Sequence, residues 1–377
     1  MRRVASQQGE RLPKTESLIS MISRWVNSRE QPDTFYQRVL SMALGMPPAA
    51  LGFESWSPVI DDQGDEAWEL DRALEASNVG RHALDQLQEE TARFGQQYPS
   101  TLPGLMLPRV RRRLRRVILL LDGSQPSGQR RTLCTVAGQL AGLAGVLRYD
   151  LGDPVAADAY YRAGLHAASE SDDAALSAYL LANQSLLRTY GGEPEEALSL
   201  LETALDQAGQ TARVTSQRAW IATLTAEAHA VVGDASGCRR ALHAADELLD
   251  RADMAARRQG IDFFGTARLA AYQTSCHVML ADPSAALHAS DEALTMLDPA
   301  HERSRSFVLL DRATAFVQQG DLDAACDAAK DPFKFLERGP APRLSTRGEA
   351  FRAALAPFAS TRAVREFNEA FPGERKE

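Results

Sequence analysis

The sequence repeats itself between residues 134 and 358, and this repeat restricts the possible folds more than any other feature. Five segments consist of a turn followed by a small residue, and these small residues lie 40, 41, 48 and 39 positions apart. Periods of this length are typical of arrays in which one helical hairpin stacks on the next. The small residues after the turns are Ala157, Ala197, Cys238, Ala286 and Ala325.

Small residues also occupy two further positions of each repeat, as two closely packed antiparallel helices require. Each turn is flanked by segments of helical pattern rich in Ala and Leu, with Gly suited to end one helix and Asp or Glu to open the next. We therefore predict an all-α fold, in which the departure at Pro332 marks a terminal cap. The positions twelve residues earlier are Gly145, Ser185, Ala226, Thr274 and Ala313, and those seven residues later are Gly164, Ala204, Ala245, Ala293 and Pro332.

The five segments resemble tetratricopeptide repeats. The resemblance implies a right-handed superhelix of helical hairpins, whose first helices line a concave groove that binds a peptide, small-molecule or protein effector. Aromatic rings supply apolar area there, and Asn183 and Arg268 are suited to bind an amide or a carboxylate. For Trp220 and Phe307 the alternative is that their rings fill gaps between repeats. The predicted groove residues are Tyr179, Asn183, Tyr190, Trp220, Glu227, Arg268 and Phe307.

The N-terminal segment carries a second helical pattern. Leu18, Ile22 and Trp25 recur at i, i+4 and i+7, which predicts an amphipathic helix from about residue 16 to residue 26, with Thr15 as its N-cap. A second helix is predicted from Thr34 to Leu44. Residues 1–52 contain seven basic and four acidic side chains, although the whole chain has a net charge of -8. This asymmetry indicates a small basic module joined to a large acidic one.

Residues 22–32, with Phe35-Tyr36 and the stretch Leu44–Phe53, resemble the second half of a Cro-type helix-turn-helix domain. The resemblance extends along most of the chain to actinobacterial regulators that join such a domain to a tetratricopeptide array. It implies a partial helix-turn-helix head whose helix after Thr15 lies in the major groove of double-stranded DNA. Base contacts are then expected from Ser17, Ser20 and Arg24, and phosphate contacts from Lys14 and Arg29.

These patterns divide the chain into a head (1–52), a linker (53–66), a helical connector (67–133), the repeat array (134–358) and a C-terminal helix or tail (359–377). Within the connector, six arginines precede an apolar block between Arg109 and Leu121. One hypothesis is a helix that binds phosphate or membrane, and the other is a solvated helix face that pairs with the acidic array. The second fits better, because the arginines precede the apolar block instead of lining one stripe beside it.

Several classes of protein are disfavoured. No apolar run approaches the length of a membrane span, and the N-terminus lacks the apolar stretch of a signal peptide, so a cytoplasmic protein without membrane contacts is expected. The four cysteines lack metal or disulfide spacing and are expected to be buried and reduced. Phosphate-binding loops and the common catalytic motifs are also missing from the sequence, which predicts a protein that is not an enzyme and uses no cofactor or metal.

Two functions remain from different classes. The first is a homodimeric transcriptional regulator whose repeat array senses a peptide or small-molecule effector and whose head binds an operator. The second is a scaffold or adaptor, in which the array binds a protein partner and a degenerate head binds no DNA.

Overall fold

The computed structural model describes residues 13, 15–27, 31–44, 51, 81–123, 125–209, 215–251 and 264–372. Within these ranges every regular element is a helix, as predicted, and no strand occurs. Contacts divide the chain into two units, Met1–Leu74 and Glu75–Glu377. None of the helices in the described ranges is long and apolar enough to cross a membrane.

The first unit contains helices α1 (Thr15–Val26) and α2 (Thr34–Leu44), which agree with the predicted helices to within one residue. On α1, Leu18 is buried, and the ring of Trp25 packs against Tyr36 of α2 with 5.0 Å between centroids. The start of α2 is fixed by Asp33, whose side chain accepts a hydrogen bond of 3.0 Å from the backbone of Tyr36.

The second unit begins with α3 and α4, both of which pack against α5, and continues as consecutive helix pairs. In each pair the two helices pack against each other, and α15 then packs on α13 as a further first helix. The helices are α3 (Arg81–Gln97), α4 (Pro103–Leu121), α5 (Ser127–Asp150), α6 (Pro154–Glu170), α7 (Ala174–Gly191), α8 (Pro194–Gln207), α9 (Thr215–Val231), α10 (Ala235–Arg251), α11 (Thr266–Met279), α12 (Pro283–Met296), α13 (Glu302–Gln319), α14 (Leu322–Leu336), α15 (Pro342–Leu355) and α16 (Arg362–Ala370), with a short 3-10 helix at Ala356–Phe358.

The small residues identified from the sequence are all buried. At Gly145 an added Cβ atom would collide with the ring of Tyr161, and at Gly164 it would lie 3.0 Å from a methyl carbon of Leu180. Side-chain size at these positions therefore sets the distance between helices. Pro332, predicted to mark a terminal cap, lies inside α14, and the chain continues beyond it into α15 and α16.

The turns between the helices of a pair follow a common pattern. Gly152, Gly192, Gly233 and Gly320 adopt positive φ values of 76° to 87°, which glycine tolerates best. The fourth turn departs from the pattern, because Ala281 takes the same left-handed conformation with φ of 54°. An acidic residue precedes the helix after each of these five turns: a glutamate after the second turn and an aspartate after the other four. Each aspartate accepts a hydrogen bond from the backbone N–H three residues later, and these residues are Asp153, Asp234, Asp282 and Asp321.

The first helices of the pairs contact one another in chain order, from α5 through α7, α9, α11 and α13 to α15. Helix α15 also contacts α5, so this series of helices closes on itself. We call the side on which these six helices face each other the inner surface. It is defined by one residue from each helix: Tyr149, Tyr190, Glu227, Tyr272, Asp311 and Arg347.

Candidate functional site

Charged and aromatic side chains form a connected network on the inner surface. On α5 the contributing residue lies near the C-terminal end of the helix, whereas on α15 it lies closer to the N-terminal end. On the helices between these two, its position shifts gradually from one end toward the other. This gradual shift brings groups that are far apart in sequence to the same level. The inner surface thus presents carboxylates, guanidinium groups and aromatic rings, whereas Ala and Leu fill the contacts within the helix pairs.

The buried Asp311 and the partly buried Arg347 form an ion pair on one side of this surface. The guanidinium of Arg347 donates to a carboxylate oxygen of Asp311 at 2.5 Å and to the hydroxyl of Ser275 at 3.0 Å, and it stacks 5.5 Å from the ring centre of Phe307. Burial raises the pKa of Asp311 to about 6, although Arg347 opposes the shift, and the nearby charge of Glu227 adds to it.

A second network joins the two ends of the helix series, and we call it the Asp150 clasp: Tyr98, Asp150, Arg303 and Arg343. Asp150 accepts hydrogen bonds from the Tyr98 hydroxyl at 2.7 Å, from Arg303 at 2.8 Å and from Arg343 at 3.3 Å. Arg303 also donates to the Tyr98 oxygen at 2.6 Å. Burial acts to raise the pKa of Asp150, but the two arginines and the hydrogen bonds outweigh it and hold that pKa below its usual value.

Glu227 lies near the C-terminal end of α9 and has no cation in contact within the described residues. Its Oε1 atom accepts a hydrogen bond of 2.5 Å from the hydroxyl of Tyr190. Its Oε2 atom is buried and accepts no hydrogen bond. Only 3% of Glu227 is exposed, whereas Tyr190 is 43% exposed. Burial of a carboxylate oxygen without a hydrogen-bond donor costs free energy. The Oε2 atom is therefore suited to accept a hydrogen bond from a ligand.

The other predicted groove residues take different positions. Trp220 is buried and packs against Tyr179 at 5.5 Å between ring centroids, and buried Asn183 donates to the backbone oxygen of Tyr179 at 2.8 Å. Phe307 lies between the guanidinium groups of Arg343 and Arg347 on the inner surface. The structure therefore brings three pairs of predicted groove residues into direct contact: Tyr179 with Trp220, Tyr179 with Asn183, and Tyr190 with Glu227.

Arg268, like Tyr190, is an exposed member of the predicted set. Its guanidinium lies 5.9 Å from the ring centre of Phe264 at the start of α11. The charge of Arg268 acts on Tyr272. Burial raises the pKa of the Tyr272 hydroxyl and the charge of Glu227 raises it further, whereas the charge of Arg268 lowers it. Arg268 thus lies within electrostatic reach of the inner surface.

Apart from Glu227, the ionic groups that define the inner surface and the Asp150 clasp were not predicted from the sequence. The place of Asp311 on the inner surface could have been predicted, because Asp311 follows Phe307 by four residues and therefore lies on the same face of the helix. The clasp had no such signal, since its partners are separated by 52 to 205 residues. The residues missed are Tyr98, Asp150, Arg303, Asp311, Arg343 and Arg347.

The predicted DNA-binding residues that the structure describes lie on one helix. Ser17, Ser20 and Arg24 are exposed on α1, whereas Leu18 on the same helix is buried. Lys14 and Arg29 lie outside the described residues.

The arginine-rich segment forms most of α4. Arg113 forms an ion pair of 2.8 Å with Glu90 of α3, and Arg109 stacks on Phe94 of the same helix, 5.4 Å from the ring centre. These two arginines therefore contribute to packing between α3 and α4. Leu105 and Leu119 of α4 are each 67% exposed.

The four cysteines are free and buried, as expected. In the described part of the chain, no group of three or more His, Cys, Asp or Glu side chains is arranged to hold a metal ion. The chain matches no protein-family model, and it shows no significant similarity to a curated protein.

Proposed function

We propose that this chain is a DNA-binding transcriptional regulator. A partial helix-turn-helix head formed by α1 and α2 binds an operator, and a tetratricopeptide-like right-handed superhelix binds an effector on its inner surface and mediates dimerisation. The observation that carries the effector-binding part is the Tyr190–Glu227 pair, in which an exposed ring contacts a buried carboxylate with an unused oxygen.

The composition of the inner surface supports this function. If the first helices served packing alone, apolar side chains would cover their facing sides. The facing sides instead carry Glu227, Asp311 and Arg347, and the desolvation of each charge costs free energy. Buried charges that are retained at such a cost are typical of sites that recognise a ligand.

Helix α1 supports the proposed role of the head. Its exposed face offers two hydroxyl groups and one guanidinium, from Ser17, Ser20 and Arg24, which are suited to base edges and phosphates. The opposite face holds Leu18 against the rest of the head. A polar face of this composition is of the kind that enters a groove of DNA.

The test is a titration of the full chain against the DNA that lies upstream of its own gene, with a scrambled duplex of the same length as the control. We expect Arg24→Ala to weaken specific binding by about 1 to 3 kcal/mol while leaving the scrambled duplex nearly unaffected. Arg93→Ala, which removes an exposed arginine of α3, is the matched control and is expected to change neither affinity. If the chain binds both duplexes equally weakly, the regulator proposal is wrong and the adaptor hypothesis replaces it.

A further inference from the structure

Glu227 differs from the other carboxylates of the inner surface in having no cationic partner. Asp150 contacts two arginines and Asp311 contacts one, all supplied by the chain itself. Among the described residues, the carboxylate of Glu227 accepts a hydrogen bond only from the hydroxyl of Tyr190, and its Oε2 atom has no donor. The charge of Glu227 nevertheless acts on Arg347, whose pKa is raised by both Asp311 and Glu227 against the opposing effect of burial.

The negative charge of Glu227 acts on several other groups of the inner surface. Burial raises the pKa of Tyr149, Tyr272 and Asp311, and in each case the negative charge of Glu227 raises it further. These three groups belong to α5, α11 and α13, so the carboxylate on α9 acts on helices from several sides. Arg343 opposes Glu227 at Tyr149 and Tyr272, and Arg347 opposes it at Asp311, so a ligand that enters this surface meets carboxylate and guanidinium charges together.

The surroundings of the free oxygen restrict the chemistry of the ligand. A guanidinium binds a carboxylate best through two oxygens at once, but Tyr190 already occupies Oε1. A primary ammonium group needs only one oxygen and is also attracted by the faces of aromatic rings. Tyr190, whose hydroxyl donates to this carboxylate, is 43% exposed, so the buried acid is joined to a residue that reaches solvent.

We propose that the inner surface binds a protonated primary amine of the effector at Oε2 of Glu227, beside Tyr190 and Tyr272. This inference rests on the proposed function, since it specifies the chemistry of the effector site. The ammonium group donates a hydrogen bond to Oε2, the buried oxygen that has no donor among the described residues, and pairs with the carboxylate charge. The amine belongs either to an alkylamine or to the N-terminus of a peptide, because both present the same ammonium group.

The experiment measures the binding of small probes to the full chain by saturation-transfer NMR. The probes are n-butylammonium, n-butylguanidinium, the neutral n-butanol, and leucinamide as a mimic of a peptide N-terminus. We expect saturable binding of the two amines, weaker binding of n-butylguanidinium, and none of n-butanol. The tighter of the two amines assigns the source of the ammonium group. Equal binding of n-butanol and n-butylammonium would overturn the proposal without the need for any variant.

Two matched variants locate the site. Glu227→Gln keeps an acceptor for Tyr190 but removes the charge, and it is expected to weaken amine binding by a factor of about ten. Glu202→Gln makes the same change at an exposed position of α8 and is expected to leave binding unchanged. Unchanged amine affinity in Glu227→Gln would also refute the proposal. These measurements contain no DNA, so a failure here is distinct from a failure of the chain to bind its operator.

Discussion

Replacement of Asp150 by Asn tests whether the Asp150 clasp stabilises the closed series of helices. Asparagine has nearly the same shape and still offers an oxygen to Tyr98, but it removes the charge that faces Arg303 and Arg343. Asp150 is 4% exposed, and the side chain of Arg303 is 11% exposed, so this pair is poorly screened by solvent. The side chain of Arg343 is 31% exposed and recovers part of its hydration.

These exposures set the expected magnitude. Removal of one partner from a buried ion pair costs about 3 to 5 kcal/mol, because the remaining charge is left without compensation. Since Arg343 is partly hydrated and the hydrogen bond from Tyr98 persists, we expect a value near the lower limit, about 3 kcal/mol. Glu89→Gln makes the same chemical change in an exposed i,i+4 pair with Arg93 and is expected to cost under about 0.5 kcal/mol.

The assay is urea-induced unfolding at pH 7, followed by far-UV circular dichroism. A double-mutant cycle with Arg343→Met separates the coupling from the individual effects, and we expect the Asp150→Asn change to cost at least about 1 kcal/mol less in that background. If Asp150→Asn and Glu89→Gln shift the urea midpoint equally, the clasp does not contribute to stability and the reasoning from its burial is wrong.

Two further predictions follow from the described residues. The pKa of Asp311 is raised from 3.8 to about 6 in the folded chain, so the folded state holds a proton that the unfolded state has lost, and stability should fall by up to about 3 kcal/mol as pH rises from 4 to 7. Thermal unfolding at several pH values should show this fall to be smaller in Asp311→Asn, and an identical pH profile would contradict the prediction. Ala281→Gly removes a left-handed alanine and should stabilise the chain by about 0.5 to 1 kcal/mol, whereas Gly320→Ala at the equivalent turn should destabilise it by a similar amount. Calorimetry checks both changes, and a lower melting temperature for Ala281→Gly would show that the fourth turn is not strained.

The helix pairs were predictable because their determinants are local. A residue such as Ala197 and its counterpart Ala204 lie on one helix, and the spacing of small residues repeats along the chain. The turns add a second local signal, since Gly192 and Gly320 end their helices in the left-handed conformation. The hydrophobic pattern, the spacing of small residues and the capping residues all indicate the same architecture. Because these local signals agree, the helical fold could be predicted from the sequence.

The polar network of the inner surface was predictable only in part. Tyr190 and Glu227 were identified because the position of each in its repeat places it on a first helix facing the groove. That they contact each other depends on how far α9 is rotated against α7, which the repeat pattern does not specify. The partners of Asp150 could not be identified, because any arginine in the chain satisfies the same local rules and only the complete stack of helices selects Arg303 and Arg343.

The Asp150 clasp also has a consequence for the order of folding. Contacts within a helix pair join residues that are close in sequence, and contacts of this kind form quickly. The bond between Arg303 and Tyr98 closes a loop of 205 residues, and loop closure over long separations is entropically unfavourable until the intervening chain is ordered. The helix pairs should therefore assemble before α15 meets α5. On unfolding, the junction between α5 and α15 should separate first, so the inner surface can become accessible while every hairpin remains intact.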